Sequence, residues 1–471
     1  MTTAAPTAGL RASADRLVSG SLTSTELVAG SLARIEATQE TLNAFRCVRT
    51  EALAEAEEAD ARLAAGQRAP LLGVPVAIKD DVDMAGETTE FGCSGMFELA
   101  TEDSELVRKL REAGAIIVGK TTTPELGQWP FSEGPSFGVT RNPWNLDHTP
   151  GGSSGGAASA VAAGLVPAAV GSDGAGSVRI PAAWCHLVGI KPQRGRVSTW
   201  PHPEAFLGLT CFGPLARTVG DAALLLDAIA GNHHGDRHRP VRAEGPYAEA
   251  AEREPERLRI ALSTRIPFSG APAKLDPEIR AKVERMGSVL EGLGHTVEEA
   301  APSYGLVGAS FLPRSMGGIK EWVDRMESPH ALDARTRHNA KVGRLVGGGP
   351  VLAAARALER PLSWQIGRIF ERYDVVLTPT TAQPPLPIGA GDALGNWATD
   401  RLIVGACPYA WPWNVIGWPG VNVPAGFTES GLPIGVQLLG PGDSESLLIS
   451  LAAELEQEER WHERWPPDPP A

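Results

Sequence analysis

Apolar and polar positions along this chain follow two periods, and the switches between them divide it into elements. Residues 13–37 place apolar side chains at intervals of three and four and read as two amphipathic helices. Thr23-Ser24-Thr25-Glu26 has the form of a capping box opening the second. An Ala/Glu-rich stretch, 52–65, predicts another helix. At 71–83 (LLGVPVAIKDDVD) the pattern becomes a short apolar run with β-branched residues, which predicts a buried strand ending at Lys79. Residues 106–121 read as helix, glycine turn and strand, and 166–173 as a strand. Between them, 157–164 (AASAVAAG) is almost entirely small, which lets a helix approach its neighbours closely and predicts a buried central helix. Residues 213–231 read as a tight turn followed by a strongly apolar helix. A charged, Pro- and Gly-rich stretch, 235–257, reads as a surface excursion. Further strands are predicted in 257–263, 373–380 and 431–440, with one helix opening at Pro277 and another over 446–457. Strand and helix alternate over the whole length without an internal repeat, which predicts an α/β fold with helices on both faces of one sheet.

Composition narrows the class of protein. The 471 residues carry 43 basic and 56 acidic side chains, a formal charge of −13, which argues against a nucleic-acid partner. The five cysteines are scattered and form no CxxC pair, so neither a disulfide framework nor a zinc site is expected, and a reducing, cytoplasmic setting fits. Residues 1–19 lack the form of a signal peptide, and no run approaches the roughly 18 apolar residues of a membrane span. No cofactor or metal is expected; the histidines of 232–238 (NHHGDRH) read as part of the charged surface stretch.

Three places carry candidate chemistry. The run 148–156, HTPGGSSGG, is Gly/Ser-rich like a flexible linker but leads straight into the small-residue helix. It lacks the lysine of a phosphate-binding loop. It matches Gly-x-Ser-x-Gly, which nominates Ser154, yet turn signals precede it where a nucleophile elbow needs a strand. Twenty-four residues on, Ser177 follows Asp173-Gly174-Ala175-Gly176, where small residues leave backbone N–H groups accessible to an oxyanion. Lys79 closes the apolar run GVPVAIK. A lysine held in an apolar site loses its charge readily and can serve as a base without histidine.

Lys79, Ser153 and Ser177 together supply a base, a relay hydroxyl and a nucleophile. With the pieces GVPVAIKD, GKTTTPELG, FGVTRNPWN, TPGGSSGGAASAVAAG, GSDGAGSVRIPAAWC, GPLARTVGDAALLLDAIAG, YDVVLTPT and GLPIGVQLLG in this order, the sequence resembles the amidase signature family over most of its length. The resemblance implies a single large α/β/α domain with a mixed central β-sheet. It divides the chain into a helical segment (1–65), an α/β domain (66–463, signature core 70–231) and a disordered tail (464–471). It implies that Lys79 is the catalytic lysine, Ser153 the bridging serine after a cis peptide bond, and Ser177 the nucleophile. The backbone N–H groups of Gly174, Ala175, Gly176 and Ser177 correspond to the oxyanion hole, and Asp173 and Arg179 to its bracing. Many relatives have Asp-Thr-Gly-Gly-Ser where this chain has Asp-Gly-Ala-Gly-Ser, so Ala175 adds a methyl to the loop.

Gln128 and Trp129, after PELG, are candidate substrate contacts; the tryptophans of 409–418 read either as an aromatic wall near the active-site mouth, as the resemblance implies, or as ordinary core. The function implied is hydrolysis of a small-molecule carboxylic amide, with esters or carbamates also open and a homodimer among the expected assemblies. Two alternatives stay open: an amidotransferase component dependent on partners, and a non-catalytic scaffold of the same fold.

Overall fold

Residues on successive positions of the central strands are buried against opposite cores, which is why these short apolar runs need cover on both sides. In a computed structural model that describes residues 8–267 and 272–467, Val76, Ile78, Ile117, Ala168 and Val170 belong to one hydrophobic cluster. Ala77, Ile116, Val118 and Ala169, the residues between, belong to a second. This period of two is the signature of a sheet packed on both faces.

The strands run β1 (Phe45–Val48), β2 (Pro75–Lys79), β3 (Ile116–Thr121), a two-residue hairpin of β4 (Glu133–Gly134) and β5 (Gly138–Val139), β6 (Ala168–Asp173), β7 (Val188–Lys191) and β8 (Cys211–Ala216). They continue with β9 (Arg259–Leu262), β10 (Thr296–Glu299), β11 (Val375–Pro379), β12 (Gly420–Phe427) and β13 (Pro433–Leu439). Eleven of them form one sheet in the order β1-β3-β2-β6-β8-β7-β12-β13-β11-β9-β10. It is mixed: β2 runs parallel to β3 and β6, whereas β8 is antiparallel to β6 and β7. The molecule is a single α/β domain.

Helices α1 (Leu10–Val18), α2 (Ser24–Leu42), α3 (Ala52–Ala64), α4 (Glu105–Glu112), α5 (Gly155–Ala162), α6 (Arg179–Trp184) and α7 (Val219–Ile229) cover the first half of the sheet. α1, α4 and α7 contribute to the first cluster; α2, α3 and α5 pack into the second. The capping box is present: the Thr23 side chain accepts from Glu26 N and Glu26 accepts from Thr23 N. All eight residues of α5 are buried. A Cβ at Gly156 would collide with Thr122 and the Ala44 carbonyl, so the small residues there permit close packing onto the chain just before β1 and just after β3.

Three expectations are corrected. The segment 1–65 is not helical throughout, because Phe45–Val48 pairs antiparallel with β3 and joins the sheet. Gly213–Ala216 is not a turn. It is the second part of β8, held by antiparallel pairing with β6 on one side and β7 on the other, so sheet position overrides its Gly and Pro. β12, which the apolar pattern did not mark, crosses the sheet centre with Pro424 beside a register shift, where a strand tolerates proline. Of the tail expected to be disordered, 468–471 lies outside the described residues.

Candidate active site

β2 and β6 are adjacent and parallel, so their C-terminal ends deliver Lys79 and Ser172 to the same edge of the sheet. Ligands of α/β sheets gather beyond strand C-termini. Here the Lys79 ammonium is fully buried, 2.7 Å from Ser153 Oγ, 2.7 Å from Ser172 Oγ and 3.2 Å from Asp81 Oδ2. Ser172 Oγ in turn donates to Asp81 Oδ2 at 2.5 Å. Burial pushes the Lys79 pKa below the ordinary lysine range, and Asp81 opposes that shift without reversing it.

Residues 149–154 of the glycine-rich run are all buried, which excludes a linker. The Gly152–Ser153 peptide bond is cis. Ser154, the residue that the elbow pattern nominated, is structural: its Oγ accepts from Ser172 N at 3.2 Å and donates to Ser172 O at 3.1 Å. Its N–H donates to the Ser177 carbonyl at 3.2 Å, tying the run to the loop after β6.

That loop is built around one ion pair. Arg179 Nε lies 3.0 Å from Asp173 Oδ2 and Arg179 Nη2 3.0 Å from Asp173 Oδ1, with both side chains fully buried. Arg179 donates further to Asn414 Oδ1 and Gln437 Oε1, and Asn414 donates back to Asp173 Oδ1 and O. Burial acts to raise the Asp173 carboxyl, but the Arg179 charge and hydrogen bonds outweigh it and hold the group well below the usual carboxylate range. Every strong group in this brace has a partner, as a buried charge requires.

The brace corrects one expectation. The Gly176 N–H donates to Asp173 Oδ1 at 2.7 Å, so it is not free for an oxyanion. Among the described residues, none accepts from the N–H groups of Gly174, Ala175 or Ser177. Gly176 has φ +118°, and a Cβ there would sit 2.6 Å from Ala410, so this position needs glycine. Ala175 is outside the left-handed region and its methyl packs against the cluster around Leu209 and Trp411, so the departure at this position needs no strained backbone.

Lys79, Ser153, Gly174, Ala175 and Ser177 all border one cavity of about 610 Å³. Ser177 Oγ makes no hydrogen bond to a described residue, Ser153 included. Gln128 and Trp129 also border it. The Gln128 amide is occupied, donating to Thr336 and accepting from Asn339, and Trp129 stacks on Phe131 with Arg335 over its ring. Of the tryptophans in 409–418, Trp411 lines the cavity, whereas Trp413 is core, its Nε1 donating to Gly440 O. Burial pushes the Cys185 and Cys407 thiols upward, away from nucleophilic reactivity. His233 stacks on Trp200, and no group of three or more His, Cys, Asp or Glu among the described residues could hold a metal ion.

Sequence reasoning missed Asp81, Ser172, Asn414 and Gln437. Asp81 had a signal, since it follows Lys79 by two positions at a strand end and two-residue spacing returns to the same side. The others carry no local pattern, because they reach the site from separate strands and helices.

A family model described as Amidase matches residues 26–449. AmiA2 of Mycobacterium tuberculosis (strain H37Rv) is 58% identical over 453 residues, covering 96% of this chain and 93% of that one. AmiB2 of Mycobacterium bovis is 48% identical over 461 residues, covering 98% of each chain. Among solved structures, a 6-aminohexanoate cyclic dimer hydrolase superposes with a TM-score of 0.89 at 32% identity, over 98% of each chain. Fold and comparisons together define an amide-hydrolysing enzyme. The chain belongs to the amidase family. No helix among its described residues is long and apolar enough to cross a membrane.

Proposed function

We propose that this enzyme cleaves a small-molecule carboxylic amide through an acyl-enzyme on Ser177, with Lys79 as base and Ser153 as relay. The observation that carries the reading is the buried Lys79 amine, depressed in pKa and 2.7 Å from the hydroxyl of Ser153, which opens on the same cavity as Ser177. Neutral Lys79 accepts the Ser153 proton as Ser153 accepts the Ser177 proton, and Ser177 Oγ bonds to the acyl carbon. The N–H groups of Gly174, Ala175 and Ser177, held by the Asp173–Arg179 brace, receive the oxyanion. The C–N bond then breaks, and the Lys79 proton passes through Ser153 to the leaving nitrogen. Water adds to the acyl carbon, gives its proton back through Ser153 to Lys79, and the tetrahedral species collapses to acid as the Ser177 oxygen leaves and is reprotonated.

Five free thiols, four of them buried, support a cytoplasmic place of work. The test is peptide mapping after incubation with a fluorophosphonate. The label belongs on the Ser177 peptide; a label on Ser154, or none on either serine, overturns the assignment.

A further inference from the structure

The cavity walls select what the reacting serine meets. We propose that the enzyme acts on electrically neutral amides bearing a hydrocarbon chain or aromatic ring and discriminates against amides bearing a carboxylate, an inference that rests on Ser177 being the nucleophile. Phe91, Leu126, Phe311, Met316, Val404 and Trp411 are among the lining side chains, on several separate segments. The apolar surface continues to solvent at Leu306 and Leu312, which border the cavity while 74% and 50% exposed.

Charge on the walls is one-sided. Among the described lining residues the one basic side chain is Lys79, which the proposed reaction uses as a neutral amine and which is already engaged by Ser153, Ser172 and Asp81. The other two charged side chains are both carboxylates, Asp81 and the exposed Asp400. Asp400 has neither a side-chain hydrogen bond nor an ion pair to another described residue; partial burial raises its pKa, and nearby His338 opposes the rise without reversing it. Among the described residues no arginine lines the cavity to clamp an anion bidentately, the usual device for binding a substrate carboxylate. The polar side chain nearest to that task, Gln128, has its amide committed to Glu125 O, Thr336 and Asn339. A carboxylate entering this space would shed water, face two carboxylates and find no free cation among the described lining residues to pair with. A hydrocarbon group would shed only the water that the walls also release. The cavity volume of about 610 Å³ accommodates an acyl chain of several carbons or a ring.

The test uses the purified full chain and near-isosteric pairs: the p-nitroanilides of hexanoic and glutaric acid, and hexanamide against the monoamide of glutaric acid. The expected kcat/KM favours hexanoyl over glutaryl by about 100-fold or more, and hexanamide over glutaric acid monoamide in the same sense. Along an acetyl, butanoyl and hexanoyl series it rises about two- to fourfold per methylene. Leu312→Arg, at a half-exposed helix position that accepts a long side chain, narrows the hexanoyl/glutaryl ratio by about tenfold by supplying the missing cation. Fluorophosphonate labelling of wild-type Ser177 separates the two ways to fail. If Ser177 takes the label but the pairs show no preference, a glutaryl preference or no turnover, the substrate class is wrong and the nucleophile stands. If Ser177 takes no label and no pair is turned over, the underlying reaction scheme is wrong.

Discussion

The floor of the active-site cavity and its outer wall are built by opposite rules. On the floor, at the ends of β2 and β6, the polar side chains are held by named partners: Lys79 by two hydroxyls and a carboxylate, Asp173 by Arg179 and Asn414, Ser154 by the Ser172 backbone. The wall, drawn from the helices Val307–Val323 and Asn396–Ala406 and from Trp411, is mostly apolar and in places exposed. Buried charges in the floor need fixed geometry, because an unpaired one is expensive. Contacts in the wall are non-directional, so in the proposed reading its shape and the lack of a free cation among its described residues do the selecting. If the proposed roles hold, the difference teaches that reaction type and substrate choice reside in separate parts of this molecule and can be perturbed separately.

The sharpest break is in the floor. Ser177→Ala is expected to lower kcat by at least about 10⁴-fold with the fold intact by circular dichroism. Next comes the brace: Arg179→Met leaves Asp173 buried without its counter-charge and is expected to destabilise the protein by about 3–5 kcal/mol in denaturant unfolding. In the wall the effect is smaller and of another kind. Trp411→Ala should raise KM for a hexanoyl anilide about tenfold while changing an acetyl anilide much less, which steady-state kinetics on the two substrates resolves.

The smallest change probes electrostatics. The Asp81 charge favours the ammonium form of Lys79. Asp81→Asn therefore lets the neutral amine persist to lower pH. The acidic limb of the kcat/KM profile, where activity rises as Lys79 loses its proton, should move to lower pH with only a few-fold change at its plateau. A limb that stays in place would separate Asp81 from the base.

Legibility in the sequence follows the same division. The floor could be read because its chemistry needs particular residues at particular places: Lys79 closing an apolar strand, two serines among glycines, a glycine at 176 where φ is +118°. Even there the reading assigned Gly176 N–H to an oxyanion, because the reach of the Asp173 carboxylate back to it depends on the folded loop. The wall was nearly silent. Phe311, Met316 and Val404 look like any apolar helix residues until tertiary packing brings them to the cavity that Ser177 also borders. The same limit hid β8 and β12, whose Gly and Pro residues signal turns locally but are held in strands by neighbours on both sides.

The central claim is that a buried, neutral Lys79 drives Ser177 through Ser153. The pH dependence of the fluorophosphonate labelling rate at Ser177 tests it most directly, because it reports nucleophile activation without leaving-group protonation or deacylation. The rate is expected to rise with pH to a plateau, with its midpoint below the ordinary lysine value of about 10.4, and to lose that rise in Lys79→Ala. Labelling of Ser177 in Lys79→Ala at the wild-type rate and with the wild-type pH profile would contradict it.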